Sequence, residues 1–272
     1  MNLVDRLHMV HRFWRYRLRS EKDSIKFLLK QDLLGTTVLD VGAHHGIYSY
    51  WMSKKAGKSG KVIAFEPQPE LESFLKDLRK TFRLDNLVIE NKGLSNHCGN
   101  ACLFRSEAGS GGAGFTGGEG FETIEVEVTT LDEYFKHKRV PRISFIKCDV
   151  EGHELQVFEG AENVLREHKP LLLFECHDGL AQKGDVFSFL KGLGYRGYFF
   201  HKRKRVDYSR FAEFAHENPE RTYRDYVFVA GRTAAGQEPA FRRCRSSAQS
   251  ENRWEWVARL AAPREYLRNT TR

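Results

Sequence analysis

No apolar run in this chain of 272 residues reaches the length a membrane span needs, and no apolar signal core lies near its N-terminus. A soluble, unexported chain is therefore expected. Cysteine usage points the same way: Cys98, Cys102, Cys148, Cys176 and Cys244 form no Cys-x-x-Cys pair, and bridging four would leave one over. A reducing cytoplasm fits this better than a disulfide framework. Cys148 and Cys176 fall in apolar strand patterns, where an inert buried thiol is expected. His97, Cys98 and Cys102 lack the second ligand pair of a zinc site. No internal repeat is visible.

Acid is the scarcer charge. Against 44 Lys and Arg stand 36 Asp and Glu, a formal net charge of +8, which favours an anionic partner or surface. The excess gathers toward the ends. In His11-Arg12-Phe13-Trp14-Arg15-Tyr16-Arg17-Leu18-Arg19 arginine alternates with aromatics. Such a stretch suits phosphates and bases, an anionic bilayer touched peripherally, or an amphipathic helix whose aromatics pack on the main domain. The last is favoured, with membrane ahead of nucleic acid. Beyond Gly231, Arg242-Arg243-Cys244-Arg245 reads as a mobile basic linker, and residues 253–260 as a short helix.

The most informative stretch is Val38-Leu39-Asp40-Val41-Gly42-Ala43-His44-His45-Gly46-Ile47, a buried strand pattern that breaks into a glycine turn and re-enters a helix. Gly42 and Gly46 would let the backbone approach a nucleoside with no Cβ in the way. Asp40 leaves a carboxylate at the strand's end, which suits a cationic ligand better than a pyrophosphate. Lys61 to Phe65 reads as a second strand, and Glu66 follows where such units offer a carboxylate to ribose hydroxyls. Pro67 stops it. From Pro69 a helix is expected, with Leu71, Phe74, Leu75, Leu78 and Phe82 on one face.

These residues, with Thr130-Leu131-Asp132, Asp149-Val150-Glu151-Gly152-His153-Glu154 and Leu172-Leu173-Phe174-Glu175, resemble the S-adenosylmethionine-dependent methyltransferases and more narrowly the FkbM type. The resemblance runs over about residues 34–230 and is most specific at the Asp-Val-Glu-Gly-His-Glu stretch. It implies an α/β fold of class I methyltransferase type, a Rossmann-like, doubly wound, mostly parallel sheet. It also implies S-adenosylmethionine as cofactor and methyl transfer to a hydroxyl, on a sugar, a glycan or a secondary metabolite. In related folds a loop such as Gly93-Leu94-Ser95 faces the adenine. The donor site is thus expected at Asp40, Gly42, Gly46, Glu66, Leu94 and Ser95.

Three divisions follow: a basic helical extension over 1–33, the methyltransferase domain over 34–230, and a basic, partly disordered extension over 231–272. Ser20 and Asp23 have capping-box spacing and should open a helix through Leu29; Thr130 and Glu133 should open another. A third strand is expected from Leu87 to Asn91, and period-two patterns over Ala101–Phe104 and Phe121–Thr129 flank a Gly-rich loop. They read as a β-hairpin inserted where a plain doubly wound fold has a helix, its tip a mobile lid or a disordered loop. Strands over Ile143–Asp149 and Leu171–Cys176 flank a helix from Glu154 to Glu167, Asp185 caps the next helix, and two last strands, Tyr195–Phe200 and Tyr226–Ala230, close the sheet.

The carboxyl ends of the sheet collect Asp40, Glu66, Asp149 and Glu175. In-line methyl transfer asks the protein to align an acceptor and take its proton. Asp149, Glu175 and His177 are the candidates: His177 takes the proton while Glu175 orients it, or both hydrogen-bond loop backbone. His153 is read as a helix cap. Alternatively Asp149 and Glu175 hold Mg²⁺ with acceptor oxygens completing the sphere. A nicotinamide-dependent oxidoreductase is disfavoured by the glycine spacing and the lack of a separate substrate domain. A basic nucleic-acid or membrane module on a Rossmann-like scaffold is a third possibility. No Pro-Pro dipeptide occurs, hence no Asn/Asp-Pro-Pro-aromatic segment of the base methylases.

Overall fold

Apolar runs long enough to bury both faces of a strand dictate a parallel sheet covered on each side. In the computed structural model, which describes residues 1–177, 184–201, 204–214 and 223–231, four such runs form β1 (Thr37–Val41), β2 (Lys61–Phe65), β7 (Ile143–Cys148) and β8 (Leu171–His177). With β3 (Leu87–Glu90) they make a parallel set ordered β3-β2-β1-β7-β8. The antiparallel strand β11 (Tyr223–Ala230) joins β8 to β9 (Tyr195–His201), and β10 (Lys204–Asp207) lies at the edge, giving eight strands. The order reverses at β1, so the crevice for a ligand opens beyond the ends of β1, β2 and β7.

Helices α3 (Ile47–Ala56) and α4 (Pro69–Phe82) follow β1 and β2. The expected face of α4 is buried at Leu71, Leu75, Leu78 and Phe82. The N-terminal residues form α1 (Leu3–Arg15), which continues as a wider π-helical turn over Tyr16–Ser20, and α2 (Lys22–Lys30). The cap expected at Ser20 is not formed. The capping box forms at Asn2 and Asp5, while Glu21, with no side-chain cap, precedes α2. Ser20 is already inside the helical turn, so its side chain is not at a cap. The basic aromatic stretch packs on the domain: Phe13 stacks on Tyr50 at 3.9 Å, and the Arg17 guanidinium lies 4.7 Å from the Trp51 ring. Phe13 and Leu28 share one apolar cluster with Val38 and Trp51.

The hairpin is β5 (Gly99–Arg105) against β6 (Glu122–Thr129), in register from Gly99↔Val128 to Arg105↔Glu122. Gly93 and Leu94, expected in a loop, instead form the short strand β4, parallel to β6. Thr130 accepts a hydrogen bond from the Glu133 N–H at 3.0 Å and opens α5 (Leu131–Phe135). Thr130→Ala is expected to lower unfolding stability by about 1 kcal/mol, measured by urea denaturation, and an unchanged midpoint would refute the cap.

The single helix expected from Glu154 is two, α6 (Glu154–Glu159) and α7 (Glu162–His168). A Cβ at Gly160 would lie 2.0 Å from the Ser95 carbonyl oxygen, so the chain passes hard against that loop and bends there. The Asp132 carboxylate then restarts the helix, accepting from the Asn163 and Val164 N–H groups at 3.0 Å each. Further along, Asp185 is the first residue of α8 (Asp185–Gly192), whose cap position is Gly184, and α9 (Phe211–Phe214) lies between β10 and β11. The linker and helix expected after Gly231 lie outside the described residues. Among the described residues no helix is long and apolar enough to cross a membrane.

Candidate active site

After Val41 the chain turns sharply: the Gly42 and Ala43 N–H groups both donate to the Phe65 carbonyl at 3.0 Å, and Gly42 and His44 take φ of 75° and 46°. This turn is one wall of an open cleft, lined also by Glu66, Leu94, Asp149 and Glu151. Glu66 is 4% exposed. One of its oxygens accepts from the His44 N–H at 2.7 Å and the other from the Gln68 N–H at 3.1 Å. Burial pushes its pKa up to about 7 against these bonds. The Gln68 side chain bonds to the same carboxylate, which has about four acceptor positions in all.

The other residues expected at the donor site are placed less uniformly. Asp40 is buried below the cleft, where it accepts from Ser49 Oγ on α3 at 2.5 Å, and burial pushes its pKa up to about 6. Gly42 lines the cleft, but a Cβ there would meet the Asp149 carbonyl oxygen at 1.9 Å. Gly46, at φ 71°, caps α3 and faces α4, where a Cβ would lie 2.6 Å from Leu78 Cδ2. The clearance expected for a nucleoside is in both cases clearance for the chain itself. Leu94 lines the cleft; Ser95 is buried and its Oγ bonds to His153 Nε2 at 3.0 Å. His153 was expected to cap α6, yet it makes no side-chain cap there: its ring is held by Ser95 and by Phe115 at 4.6 Å.

The Gly-rich hairpin loop lies over this cleft. His44 Nε2 is 3.0 Å from the Gly109 carbonyl. Gln68 Nε2 donates to the Ser110 carbonyl at 3.0 Å, and Gln68 Oε1 accepts from the Gly109 N–H at 3.0 Å. Gly111, Ala113 and Phe115 complete the lining. Gln68 escaped the sequence reading because nothing near it marks it as more than the residue before a helix.

Beyond the end of β7, Asp149 is held in place by its N–H, which donates to Val41 at 3.0 Å, and by Lys147, whose Nζ is 2.9 Å from Asp149 Oδ2. The Asp149 side chain is 34% exposed and that of Lys147 is 3% exposed, so the carboxylate is presented above a buried cation. Glu175 lies opposite Asp225 on β11. Burial, then the negative Asp149 and Asp225, push Glu175 up to about 8, while Lys147 pulls the other way. His177 is two residues further along β8, its ring edge-on to Tyr223 at 5.0 Å. Glu151, in a left-handed turn at φ 52°, also lines the cleft. The positive charge beside Asp149 is therefore an ammonium group. Among the described residues no group of three or more His, Cys, Asp or Glu side chains is placed to hold a metal ion.

Residues 40–196 match the model of the methyltransferase FkbM domain. The chain is 33% identical over 183 residues to the hexuronic acid methyltransferase AglP of Haloferax volcanii, covering 66% of this chain and 72% of that protein. Among solved structures it is similar to the methyltransferase FkbM of Methylobacillus flagellatus, with TM-score 0.45 and 16% identity over 71% of this chain. It spans 43% of that larger chain. It is also similar to a SAM-dependent O-methyltransferase of Thermotoga maritima, with TM-score 0.44 and 13% identity, covering 79% of this chain and 67% of that one. The family model takes in the glycine turn, Glu66 and the Asp149–Glu154 stretch together, and the chain belongs to the FkbM methyltransferase family.

Proposed function

We propose that this protein transfers a methyl group from S-adenosylmethionine to a hydroxyl of a sugar or sugar acid within a glycan or small molecule. The observation that carries this reading is the pairing, in one cleft, of a buried carboxylate, Glu66, and a half-buried ion-paired carboxylate, Asp149. Glu66 would hold the donor's ribose hydroxyls, with Gly42 and Leu94 beside it. When bound, the donor supplies an electrophilic methyl carbon on a cationic sulfur. Asp149 accepts the proton of the acceptor hydroxyl, so that the oxygen is a better nucleophile as its new bond forms. Glu175, neutral at pH 7, donates a hydrogen bond and orients the acceptor. The loop at Gly109–Phe115 keeps water from the donor. The relative that acts on a hexuronic acid suggests sugars as the first acceptors to test.

Calorimetry with S-adenosylhomocysteine, followed by product analysis with a panel of methyl hexosides and hexuronic acids, tests the reading. Binding and a methyl ether product are expected; absence of S-adenosylhomocysteine binding overturns it. Glu66→Gln should weaken that binding by roughly 1.5 to 3 kcal/mol, the range for a hydrogen bond to a charged acceptor. A pH dependence follows from its pKa near 7. Hydroxyl donors favour the ionised carboxylate, so binding below about pH 7 releases a proton and affinity rises as pH increases through that value. The Gln variant should lose this rise, which calorimetry in buffers of different ionisation enthalpy reads directly; a wild-type affinity flat from pH 6 to 8 goes against it.

A further inference from the structure

We propose that Lys147 is a positioning residue: its ammonium group fixes the Asp149 carboxylate at the mouth of the cleft, and Glu21 and Asp225, both outside the segment matched by the family model, hold that ammonium in place. The inference rests on the reading of Asp149 given above. Lys147 stands in the apolar run Phe145-Ile146-Lys147-Cys148, and the strand's alternation turns it to the face covered by α2 and α3. There its side chain is 3% exposed, with its Nζ 4.9 Å from the Tyr48 ring and 2.9 Å from Asp149 Oδ2. A lysine buried this deeply persists as a cation only with charged partners around it.

Those partners come from four separate elements. Tyr48 on α3 donates to Glu21 Oε2 at 3.1 Å, and Glu21 sits at the start of α2. Ser24, one turn along α2, donates to Asp225 Oδ2 on β11, which also accepts a hydrogen bond from Glu21. Asp225 is opposite Glu175, and Asp40 faces the same buried charge from β1. Burial alone would pull the Lys147 pKa down, but Asp149, Asp225 and Glu21 outweigh it and hold it above the usual lysine value. Glu21 is pushed up by burial and by Asp225, while Lys147 and the Tyr48 hydrogen bond pull it the other way. Asp149 is also within reach of Glu151, Glu154 and His44, none of which carries the fixed positive charge that Lys147 does. The N-terminal helices therefore reach the proton-accepting end of the cleft through Glu21 and Ser24.

The experiment follows the Asp149 carboxyl carbon by ¹³C NMR across pH in the full chain, with the signal assigned from its loss in Asp149→Asn. In Lys147→Met the titration midpoint should move up by about one pH unit or more, a tenfold gain in proton affinity, and Lys147→Arg should bring it back most of the way. Turnover on the sugar panel should fall in Lys147→Met with its acid limb moved upward by the same interval. S-adenosylhomocysteine binding, used as the check on folding, should persist. An unmoved midpoint in a variant that still binds S-adenosylhomocysteine overturns the proposal, as does an Arg variant no better than Met. If Lys147→Met does not fold, Glu21→Ala stands in for it: a kcat lowered severalfold with an unchanged KM for the donor supports the proposal, and a wild-type rate and pH profile refute it. The NMR readout needs no acceptor, so a wild type that methylates nothing in the panel counts against the proposed reaction alone.

Discussion

Asp149→Asn is expected to lower kcat by about a hundredfold or more, the usual scale for lost acid/base catalysis, with little change in affinity for S-adenosylhomocysteine. Asparagine keeps the size of the side chain and its place at the end of β7, where the backbone N–H of residue 149 is bound to Val41. What it loses is the ability to take a proton, and the ion pair to Lys147 Nζ at 2.9 Å with it. Glu175→Gln should behave differently. Burial first, and then the neighbouring Asp149 and Asp225, push Glu175 up to about 8, so at pH 7 the natural residue is neutral, as glutamine is. The Gln variant should therefore retain most of its rate near pH 7 and diverge from wild type above pH 8, where the natural carboxyl ionises. Steady-state rates from pH 6 to 9 separate the two residues. Equal losses at pH 7 in both variants would mean that Asp149 and Glu175 share the proton, and an undiminished Asp149→Asn rate would remove Asp149 from the reaction.

Much of this arrangement is legible in the sequence because the strands that carry it are buried on both faces. Continuous apolar runs ending in Gly42, Glu66, Asp149 and Glu175 announce a parallel sheet and its ligand-bearing edge with no tertiary information. The hairpin is legible for the opposite reason: its solvent face makes Cys102, Glu125 and Glu127 alternate with buried positions. What escapes is whatever depends on chain segments far apart in sequence. Glu21 and Asp225 are hydrogen-bonded beside Lys147 across about two hundred positions, with Ser24 bonded to Asp225 as well, and neither Glu21 nor Asp225 stands in a motif. Lys147 itself did offer a signal, a charge inside an otherwise buried strand that must find a partner within the fold. The break at Gly160 was hidden similarly, because it is set by contact with Ser95 and by the cap from Asp132, both outside the helix.

Gly42→Val is expected to cost the protein its stability as well as its donor binding, and the reason is the carbonyl of Asp149. A Cβ at position 42 would lie 1.9 Å from that oxygen and 3.0 Å from the carbonyl carbon, both backbone atoms that no side-chain rotation relieves. The backbone at Gly42 also has φ 75°, which a β-branched residue resists most. Strain at such a position contributes about 1 to 3 kcal/mol and overpacking about as much again, so a loss of about 3 kcal/mol or more is expected even for Gly42→Ala. Urea denaturation of the Ala variant measures it. Because the Asp149 N–H is bound to Val41, pushing the carbonyl away shifts the strand end on which the carboxylate is mounted. Saturating donor should then restore occupancy of the cleft in Gly42→Ala without restoring kcat. An Ala variant as stable as wild type that merely needs more donor would show the opposite: the open space at Gly42 would serve the ligand, and the contact with Asp149 would yield without consequence.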